Sequence, residues 1–405
     1  MDKFYKKYRK KIMCINLVFF ILLLKLLFLS GLNFAMNSDL RFAYVGSYNN
    51  EAPGGWSAAA ESSPSEGISV YSVNPTLGDL KLIYNVKSET PSFLVMHPSE
   101  KYLYVLNEIA DYQGKNQGSL EAWLIDDMTG NLSLINRVPC GAIPAQIAVS
   151  PDGRFLSLAS YMGSAYELFS IADDGSLQET TSVLKQRGAG PHPRQDMPHP
   201  HAVVFSPSEK WLLGADLGND MLKVFQIADG KLSEISSVKL SQGTGPRHLS
   251  FHPDGNIFYV INELNATIKV FEFNDETGKI GQELQTVSTL PQGFFGYKST
   301  AEIMVHPSGK FLYGSNRKFA DHPLADSLVS FSIGSDKKLK LIGYTNDDIN
   351  FPRTFVTDPR GTWIYVMNQK GDSIRQYLIC QDSGKLHFTG FEMASTTPAG
   401  MAFKH

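Results

Sequence analysis

The sequence predicts an all-β fold, a seven-bladed β-propeller whose blades are four-stranded antiparallel sheets. One phrase recurs along the chain: an apolar stretch that opens on Pro or Thr, a turn, and an aromatic-rich run that ends in a polar residue. A repeat of about 50 residues is typical of a propeller. No stretch within the repeats has the pattern of a long amphipathic helix, and the seventh copy of the phrase is split between the two ends of the chain.

The split copy predicts how the ring closes. Its first half, PAGMAFKH, ends the chain from Pro398, and its second half, RFAYVGSY, opens the globular part at Arg41. The C-terminal strand is therefore expected to complete the N-terminal blade, which leaves no free sheet edge on the ring. We number this shared blade 1. The repeats begin at residues 91, 144, 200, 246, 300, 352 and 398.

The copy that begins at Pro246 shows how one blade is predicted to fold. Apolar residues alternate with others from 248 to 251, the period-2 pattern of a first strand. The sequence HPDG (252–255) then predicts a turn, because Pro presets φ and Gly accepts a positive φ. Strands two to four are predicted at 257–261, 268–273 and 279–288.

The N-terminal segment 1–36 predicts an export signal or a membrane anchor. Residues 1–11 are basic, and Ile12 to Leu29 is almost wholly apolar. This is the order of a cleaved signal, but the apolar run also approaches the length of a membrane span. Lys25 disfavours a stable span, and a misassigned start of the chain is a third alternative. With a signal or an anchor, domain 37–405 is extracytoplasmic, periplasmic or secreted, and meets a membrane only through an uncleaved N-terminus.

Charge and motifs exclude several classes of function. The 405 residues carry a formal net charge of −3, and segment 1–36 holds seven Lys/Arg and one Asp, so the remainder is near −9. Such an acidic domain is a poor nucleic-acid binder. We find no GxSxG elbow, no phosphate-binding loop and no calcium loop, and the three cysteines lack zinc-type spacing. No cofactor and no metal are predicted.

Two repeat positions vary in chemistry from blade to blade, unlike their neighbours. One follows the opening Pro or Thr, where the first strand starts beside the central channel; it holds Ser92, Ala145, His201, Arg247, Ala301, Arg353 and Ala399. The other is the second residue of the pair that ends the second strand. These pairs are Ser47-Tyr48, Asn107-Glu108, Ser160-Tyr161, Asp216-Leu217, Asn262-Glu263, Asn316-Arg317 and Asn368-Gln369.

These two positions are expected to meet at one mouth of the channel, because the start of one antiparallel strand lies beside the end of the next. The predicted cluster occupies one sector, on blades four to seven, with Glu302 close by. Its members are His201, Arg247, Glu263, Arg317 and Arg353. Three arginines with a glutamate and a histidine predict a site for a small anionic substrate, although such groups can also brace neighbouring blades.

Longer polar stretches are predicted to be loops at a rim, where loops can cover a site. They are 54–64, 183–197 and 319–325. Just after the second stretch, His199 is a candidate for lining the site. In contrast, His97, His252 and His306 fall in the turn after the first strand, and we predict that they lie at the opposite edge.

Several segments resemble the seven-bladed propeller family that comprises the bacterial propeller-type 6-phosphogluconolactonases and the fungal carboxy-muconate cycloisomerase. The resemblance covers essentially all of residues 41–405. The segments that carry it are PHPHAVVFSP (198–207), ADLGNDMLKVF (215–225), GTGPRHLSFHPDG (243–255), VINELNATIKVF (260–271), AEIMVHPSGKFLYGSNR (301–317) and PRTFVTDPRG (352–361).

The resemblance implies a metal-independent lactone hydrolase or lactonising enzyme. Its functional residues fall on His201, Arg247, Glu263 and Arg317 of this sequence. The expected reaction is hydrolysis of a sugar-acid lactone of the 6-phosphogluconolactone type. Two alternatives stay open: lactonisation of an unsaturated dicarboxylic acid, and a non-catalytic extracytoplasmic propeller that binds a glycan or a protein. The export-like leader is a departure, because the sugar-phosphate members of the family act in the cytosol.

The chemistry of these residues suggests a mechanism. Arg247 and Arg317 bind the anionic group of the substrate and stabilise a developing oxyanion. Glu263 or His201 takes a proton from the attacking water, and the other supports the leaving hydroxyl. Arg353 either keeps Glu263 ionised or contacts the substrate, as Glu302 and His199 are also expected to do.

Overall fold

The computed structural model describes residues 41–49, 65–317 and 326–405 and confirms the seven-bladed β-propeller. Each blade is a four-stranded antiparallel sheet whose strands follow one another from the channel outward. The first strands of adjacent blades contact each other around the ring, so they line the channel. The predicted leader 1–36 and the predicted loops 54–64 and 319–325 lie outside the described residues.

The strands of blades 2 to 4 follow the repeats that begin at Pro91, Pro144 and Pro200. Those of blade 2 are Pro91–Met96, Tyr102–Asn107, Gly118–Ile125 and Leu132–Cys140, with a small hairpin of Asp111–Tyr112 and Lys115–Asn116. Those of blade 3 are Pro144–Val149, Phe155–Ser160, Ala165–Ile171 and Leu177–Lys185. Those of blade 4 are Pro200–Phe205, Leu212–Asp216, Met221–Ala228 and Lys231–Lys239.

Blades 5 to 7 repeat the same plan, and the strands of blade 5 match the predicted ones closely. They are Pro246–Phe251, Ile257–Asn262, Thr267–Asn274 and Lys279–Ser288. Those of blade 6 are Thr300–Val305, Phe311–Asn316, Ser327–Ile333 and Leu339–Thr345. Those of blade 7 are Pro352–Thr357, Trp363–Asn368, Ser373–Ile379 and Leu386–Ala394.

Blade 1 joins the two ends of the chain, as the split repeat predicts. From the channel outward its strands are Pro398–Lys404, Phe42–Ser47, Gly67–Val73 and Leu80–Lys87. The first two pair antiparallel, with Phe42 opposite Lys404 and Gly46 opposite Gly400. The backbone N–H of Tyr48 also donates to the carbonyl of Thr397 at 3.1 Å.

The hydrophobic core lies between the blades. Within the described part of the chain, seven clusters of buried apolar side chains are found, and each one joins two adjacent blades. The cluster that contains Trp363 and Tyr365 of blade 7 also holds Ala43 and Tyr71 of blade 1, so apolar packing continues across the closure. Burial of apolar area at about 25 cal/mol per Å² makes these interfaces the main support of the ring.

Among the described residues, no helix is long and apolar enough to span a membrane.

The loop predicted at 183–197 begins later than expected, because the outer strand of blade 3 continues to Lys185. The loop therefore runs from residue 186 to 199, between blades 3 and 4. We call it the 186–199 loop.

Candidate active site

A β-bulge at the start of each blade presents the variable residue to the channel. In all seven blades the pairing register between the first two strands skips the residue after the opening Pro or Thr, and in blade 6 it also skips Glu302. A bulge leaves the extra residue outside the regular pairing and changes the direction of its side chain. His201, Arg247 and Arg353 all occupy this position.

The two variable positions do meet at one end of the channel, which we call the upper end. In every blade the backbone N–H of the second pair residue donates to the carbonyl just before the first strand, at 2.8–3.3 Å. The donor and acceptor residues are Tyr48 and Thr397, Glu108 and Thr90, Tyr161 and Ile143, Leu217 and His199, Glu263 and Gly245, Arg317 and Ser299, and Gln369 and Phe351.

Glu263 is the centre of the charged cluster. It is 2% exposed, and three arginines contact its carboxylate. Nη2 of Arg317 donates to Oε1 at 2.7 Å, Nε of Arg247 lies 3.1 Å from Oε2, and Arg194 forms a further short contact with Oε1. Burial alone would raise the pKa of Glu263, but Arg194, Arg317 and Arg247 together hold it well below its usual value. Glu263 is therefore ionised and a poor proton acceptor.

Arg247 and Arg317 are themselves fixed by backbone carbonyls. Arg247 is 2% exposed and donates from Nη1 to the carbonyl of Ala301 at 2.7 Å. Arg317 donates from Nη2 to the carbonyl of Thr300 at 2.9 Å. Burial lowers the pKa of both guanidinium groups, and Arg317 lowers that of Arg247 further. Guanidinium groups stay protonated at neutral pH, so this pair favours an anion beside it.

His201 is buried next to these arginines and is neutral. The pKa of its imidazole lies well below the usual value. Burial is the largest cause, and Arg247 and His248 lower it further. Its Nδ1 is buried and makes no hydrogen bond to the protein. The ring packs edge-on against Tyr161 at 5.7 Å and against His248 at 5.2 Å between centroids. A neutral imidazole at this place can accept a proton.

Glu302 lies next to the site and faces His248. Its Oε1 is 2.8 Å from Nδ1 of His248 and also accepts the backbone N–H of Ile303 at 3.0 Å. Both side chains are buried, with exposed fractions of 8% and 3%. The substrate contact expected of Glu302 stays a prediction, because in this structure the carboxylate is engaged with His248.

Arg353 forms no ion pair with Glu263, and its alternative role, a contact with the substrate, stays a prediction. Its ion pair is with Glu108 of blade 2, with Nη2 and Oε2 3.0 Å apart, and not with Glu263. The hydroxyl of Tyr48 donates to the same Oε2 at 2.6 Å, and the guanidinium lies 5.2 Å from the centroid of the Tyr48 ring. Arg194 from the 186–199 loop makes the additional contact with Glu263. The charged network is thus wider than the predicted sector and includes blades 1 and 2.

The 186–199 loop is anchored to the site by aromatic stacking. His199 stacks on Tyr161 of blade 3, with the ring centroids 4.1 Å apart, and its two ring nitrogens contact the Tyr161 carbonyl and Asp196. A Cβ on Gly218 would lie 1.9 Å from the Met197 carbonyl oxygen, so only glycine lets the loop approach blade 4 this closely. His199 supports Tyr161 here, and its substrate contact stays a prediction.

Sequence reasoning missed five residues of this network. Tyr48, Glu108 and Tyr161 stand at the variable second pair position, so the comparison of repeats contained the signal for them. His248 is part of the GPRH segment, but in the sequence it reads only as a polar position in the alternation of the first strand. Arg194 lies in a loop with no equivalent in the other repeats, and no repeat comparison can find it.

The arrangement can bind an anion and transfer a proton. Four guanidinium groups pair with the carboxylates of Glu263 and Glu108. Even with the carboxylate of Glu302, which is engaged with His248, the cluster keeps an excess of positive charge, and the neutral imidazole of His201 lies beside it. Within the described residues, no three His, Cys, Asp or Glu side chains come together in a way that could hold a metal ion.

The whole propeller is similar to proteins of one known family. A family model described as "Lactonase, 7-bladed beta-propeller" matches residues 42–403. The chain is 31% identical over 352 residues to a 6-phosphogluconolactonase of Formosa agariphila, which covers 85% of this chain and 94% of that protein. It is 29% identical over 346 residues to the 6-phosphogluconolactonase of Bacillus subtilis, with 84% and 95% covered.

A solved structure gives the same result at the level of the fold. The periplasmic gluconolactonase of Pseudomonas aeruginosa superimposes with a TM-score of 0.80 at 28% sequence identity, covering 90% of this chain and 99% of that one. The match to the family model includes every blade, from the second strand of blade 1 to the strand that closes the ring. The chain belongs to the seven-bladed β-propeller lactonase family.

Proposed function

We propose that this protein hydrolyses the lactone of an anionic sugar acid, of the 6-phosphogluconolactone type, without a metal ion. The observation that carries the proposal is the pairing of a neutral, buried His201 with three arginines gathered on Glu263 at one end of the channel. Membership of the lactonase family supports lactone hydrolysis as the reaction. The excess of positive charge favours a substrate that carries a carboxylate or a phosphate.

His201 is the general base in this proposal. Its neutral imidazole takes a proton from a water molecule as the water oxygen attacks the lactone carbonyl carbon. The bond between that carbon and the ring oxygen then breaks, and His201 returns the proton to the leaving oxygen. The product is the open hydroxy acid, which ionises and releases one proton. Glu263 is not the base, because three arginines hold its pKa well below the usual value.

The four arginines have two different roles in this proposal. Arg247 and Arg317 stabilise the oxyanion of the tetrahedral intermediate, since both are buried and held by backbone carbonyls before the substrate arrives. Arg194 and Arg353 bind the anionic substituent farther from the reacting carbon. Glu263 keeps the arginines in place, so its contribution is to position them.

We also propose that the protein works outside the cytoplasm. The support is the basic and then apolar segment 1–36, together with a structural relative that is described as periplasmic. A lactone that carries a carboxylate in place of the phosphate would then match the positive charge of the site. Sequencing the mature N-terminus from separated cell fractions tests this proposal. An intact Met1 on a cytoplasmic protein would contradict it.

A pH-stat assay on the purified domain from residue 37 tests the reaction. We expect acid release above the spontaneous rate with 6-phosphogluconolactone, with unphosphorylated gluconolactone, or with both, and the ratio of the two rates identifies the substrate class. Acid consumption with an unsaturated dicarboxylic acid would favour lactonisation instead. No reaction with any of these compounds, in a protein with intact β-sheet circular dichroism, would leave a non-catalytic binding propeller.

A further inference from the structure

We propose that Glu302 and His248 form a relay that holds His201 in the tautomer that exposes a basic Nε2 to the substrate. The relay runs from Glu302 to His248 Nδ1, and from His248 Nε2 to His201 Nδ1. His248 and Glu302 are therefore positioning residues, which act through His201 and do not themselves contact the reacting atoms. This inference deepens the proposed lactonase function and rests on His201 being its general base.

The first half of the relay is a hydrogen bond in the structure. Oε1 of Glu302 accepts the backbone N–H of Ile303 at 3.0 Å and lies 2.8 Å from Nδ1 of His248. The backbone N–H of Glu302 in turn donates to Oγ of Ser315 at 2.9 Å. Because a carboxylate oxygen accepts only, Nδ1 of His248 carries the hydrogen. A neutral His248 therefore has a lone pair on Nε2.

The second half joins two buried nitrogens that lack a protein partner. His248 Nε2 and His201 Nδ1 are both buried and without a hydrogen bond to the protein. They belong to rings whose centroids are 5.2 Å apart and whose planes are inclined by 62°. Buried polar groups are rarely left unpaired, so a small rotation of either ring is expected to bring the two nitrogens within hydrogen-bond distance of each other. His201 then donates from Nδ1, and its lone pair is on Nε2.

The charged surroundings favour neutral rings in this relay. Arg247 and Arg353 act on both histidines and disfavour protonation, and Glu263 opposes them at His201. Burial is the largest cause that lowers the pKa of His248, and Glu302 counteracts it. Both imidazoles are thus neutral near pH 7, which is the state in which tautomers matter. Without the relay, His201 would be free to carry its hydrogen on Nε2, where it cannot accept the proton of water.

Two substitutions of His248 separate the halves of the relay. His248→Asn keeps an amide donor near the position of Nδ1, so the bond to Glu302 is kept and the acceptor toward His201 is lost. His248→Gln places an amide oxygen near the position of Nε2, so the acceptor toward His201 is kept. We expect His248→Asn to lower kcat about tenfold or more with little change in KM, and His248→Gln to restore most of the loss. His306→Gln, at the other end of the channel, is the matched control.

Nuclear magnetic resonance of ¹⁵N-labelled histidine gives a readout that does not depend on activity. The His201 signal, assigned by its loss in His201→Asn, is expected to show the Nδ1–H tautomer in the unsubstituted protein, in His248→Gln and in His306→Gln, and a shift toward Nε2–H in His248→Asn. An unchanged tautomer in His248→Asn overturns the relay, even if the protein hydrolyses no lactone. Full kcat in that variant overturns it as well.

A second variant, Glu302→Gln, tests the relay even if His248→Asn does not fold. Glu302→Gln keeps the acceptor for the Ile303 N–H and removes only the charge. We expect it to lower the pKa of His201, so that the acidic limb of the kcat/KM profile and the ¹⁵N titration of His201 both move to lower pH. If neither moves, Glu302 does not act on His201 and the relay is wrong.

Discussion

The two ends of the channel are built by opposite rules. At the upper end, equivalent positions of the seven blades hold different side chains, and each has its own partners. At the lower end, which contains the turns between the first and second strands, three blades place the same side chain in this turn, and it makes the same contact in each. Nε2 of His97, His252 and His306 lies 3.1, 3.1 and 2.8 Å from the carbonyl oxygen of the turn glycine in the next blade.

A second set of repeated contacts strengthens the lower end. In five blades a tyrosine of the second strand donates its hydroxyl hydrogen to a carbonyl in the outer turn of the next blade. These bonds, of 2.7–3.1 Å, join Tyr44 to Gly130, Tyr104 to Gly175, Tyr259 to Lys337, Tyr313 to Gly384 and Tyr365 to Gly78. Repetition of residue and partner therefore marks the parts that hold the ring together, and variation marks the site.

The largest predicted effect comes from substituting one histidine at each end of the channel and comparing activity with stability. His201→Asn should lower kcat/KM by a factor on the order of 10² to 10⁴, because it removes the proposed base, and it leaves no backbone group unpaired. His252→Asn should leave kcat/KM unchanged and lower the free energy of unfolding by about 1 kcal/mol, through loss of its bond to Gly309. Initial rates and urea unfolding measure the two quantities. If His252→Asn loses activity with an unaltered fold, the lower end also contributes to activity, and the two ends do not differ as proposed.

The next effect concerns the oxyanion. Arg247→Ala should lower kcat/KM at least about tenfold, since a buried donor aimed at the developing charge is lost. Some stability will also be lost, because the carbonyl of Ala301 loses its donor. Thermal unfolding must therefore show a folded protein at the assay temperature. Unchanged activity in that folded variant would remove Arg247 from the site.

A smaller effect is expected from the loop. Arg194→Gln should raise KM about tenfold with a smaller change in kcat, as expected for a charge-assisted contact of about 1.5–3 kcal/mol that binds the substrate and not its transition state. Lys185→Gln, in the preceding strand and exposed, serves as the control. An effect on kcat alone would place Arg194 among the groups that act on the reacting carbon.

The fourth prediction concerns stability and pH. Burial raises the pKa of Glu167 to about 7, although the carboxylate accepts the N–H of Gly141 at 3.0 Å. The folded protein therefore binds this proton more tightly than the unfolded chain, and the resulting stability is lost as pH rises from about 4 through about 7. The midpoint temperature should be higher at pH 5.5 than at pH 8, and Glu167→Gln should reduce that difference.

Asp216 adds to the same trend, because burial raises its pKa to about 7 as well. Glu263 has the opposite sign. Its lowered pKa contributes stability above the unfolded value, and that stability is lost only as the pH falls below the usual range of glutamate. An identical pH difference in wild type, Glu167→Gln and Asp216→Asn would show that neither carboxyl group causes it.

The smallest predicted effects test whether the lower end is uniform. Tyr104→Phe, Tyr259→Phe and Tyr313→Phe should each lower the free energy of unfolding by about 1 kcal/mol, because each removes the hydroxyl donor of one carbonyl in the next blade. None of them should change kcat/KM. Widely different costs among the three would mean that the repeated contacts are not equivalent.

The fold could be predicted from the sequence because it is repetitive. The seven copies of the repeat predict the same strands, so each one supports the others. The copy split between Arg41 and Pro398 predicts which strands pair to close the ring. The same comparison located His201, Arg247, Glu263 and Arg317, since they vary where the rest of the repeat does not. Candidate site residues that stand at equivalent positions of a repeat can therefore be recognised from a single sequence.

The partners of these residues could not be predicted in the same way. Whether Arg353 meets Glu263 or Glu108 depends on where the bulges direct their side chains, and a bulge has no signal in the repeat phrase. Arg194 reaches the site only because the 186–199 loop folds against Gly218 and Tyr161. Such contacts depend on tertiary structure and not on a local pattern.

Closure by the last strand has a consequence for how the molecule forms. Pro398–Lys404 supplies the inner strand of blade 1, so a nascent chain that lacks these seven residues has an incomplete first blade, however much of the rest has already folded. The ring can close only after residues 398–404 have been synthesised. We therefore expect deletion of residues 398–404 to disrupt the ring far more than a substitution of the exposed His405 does.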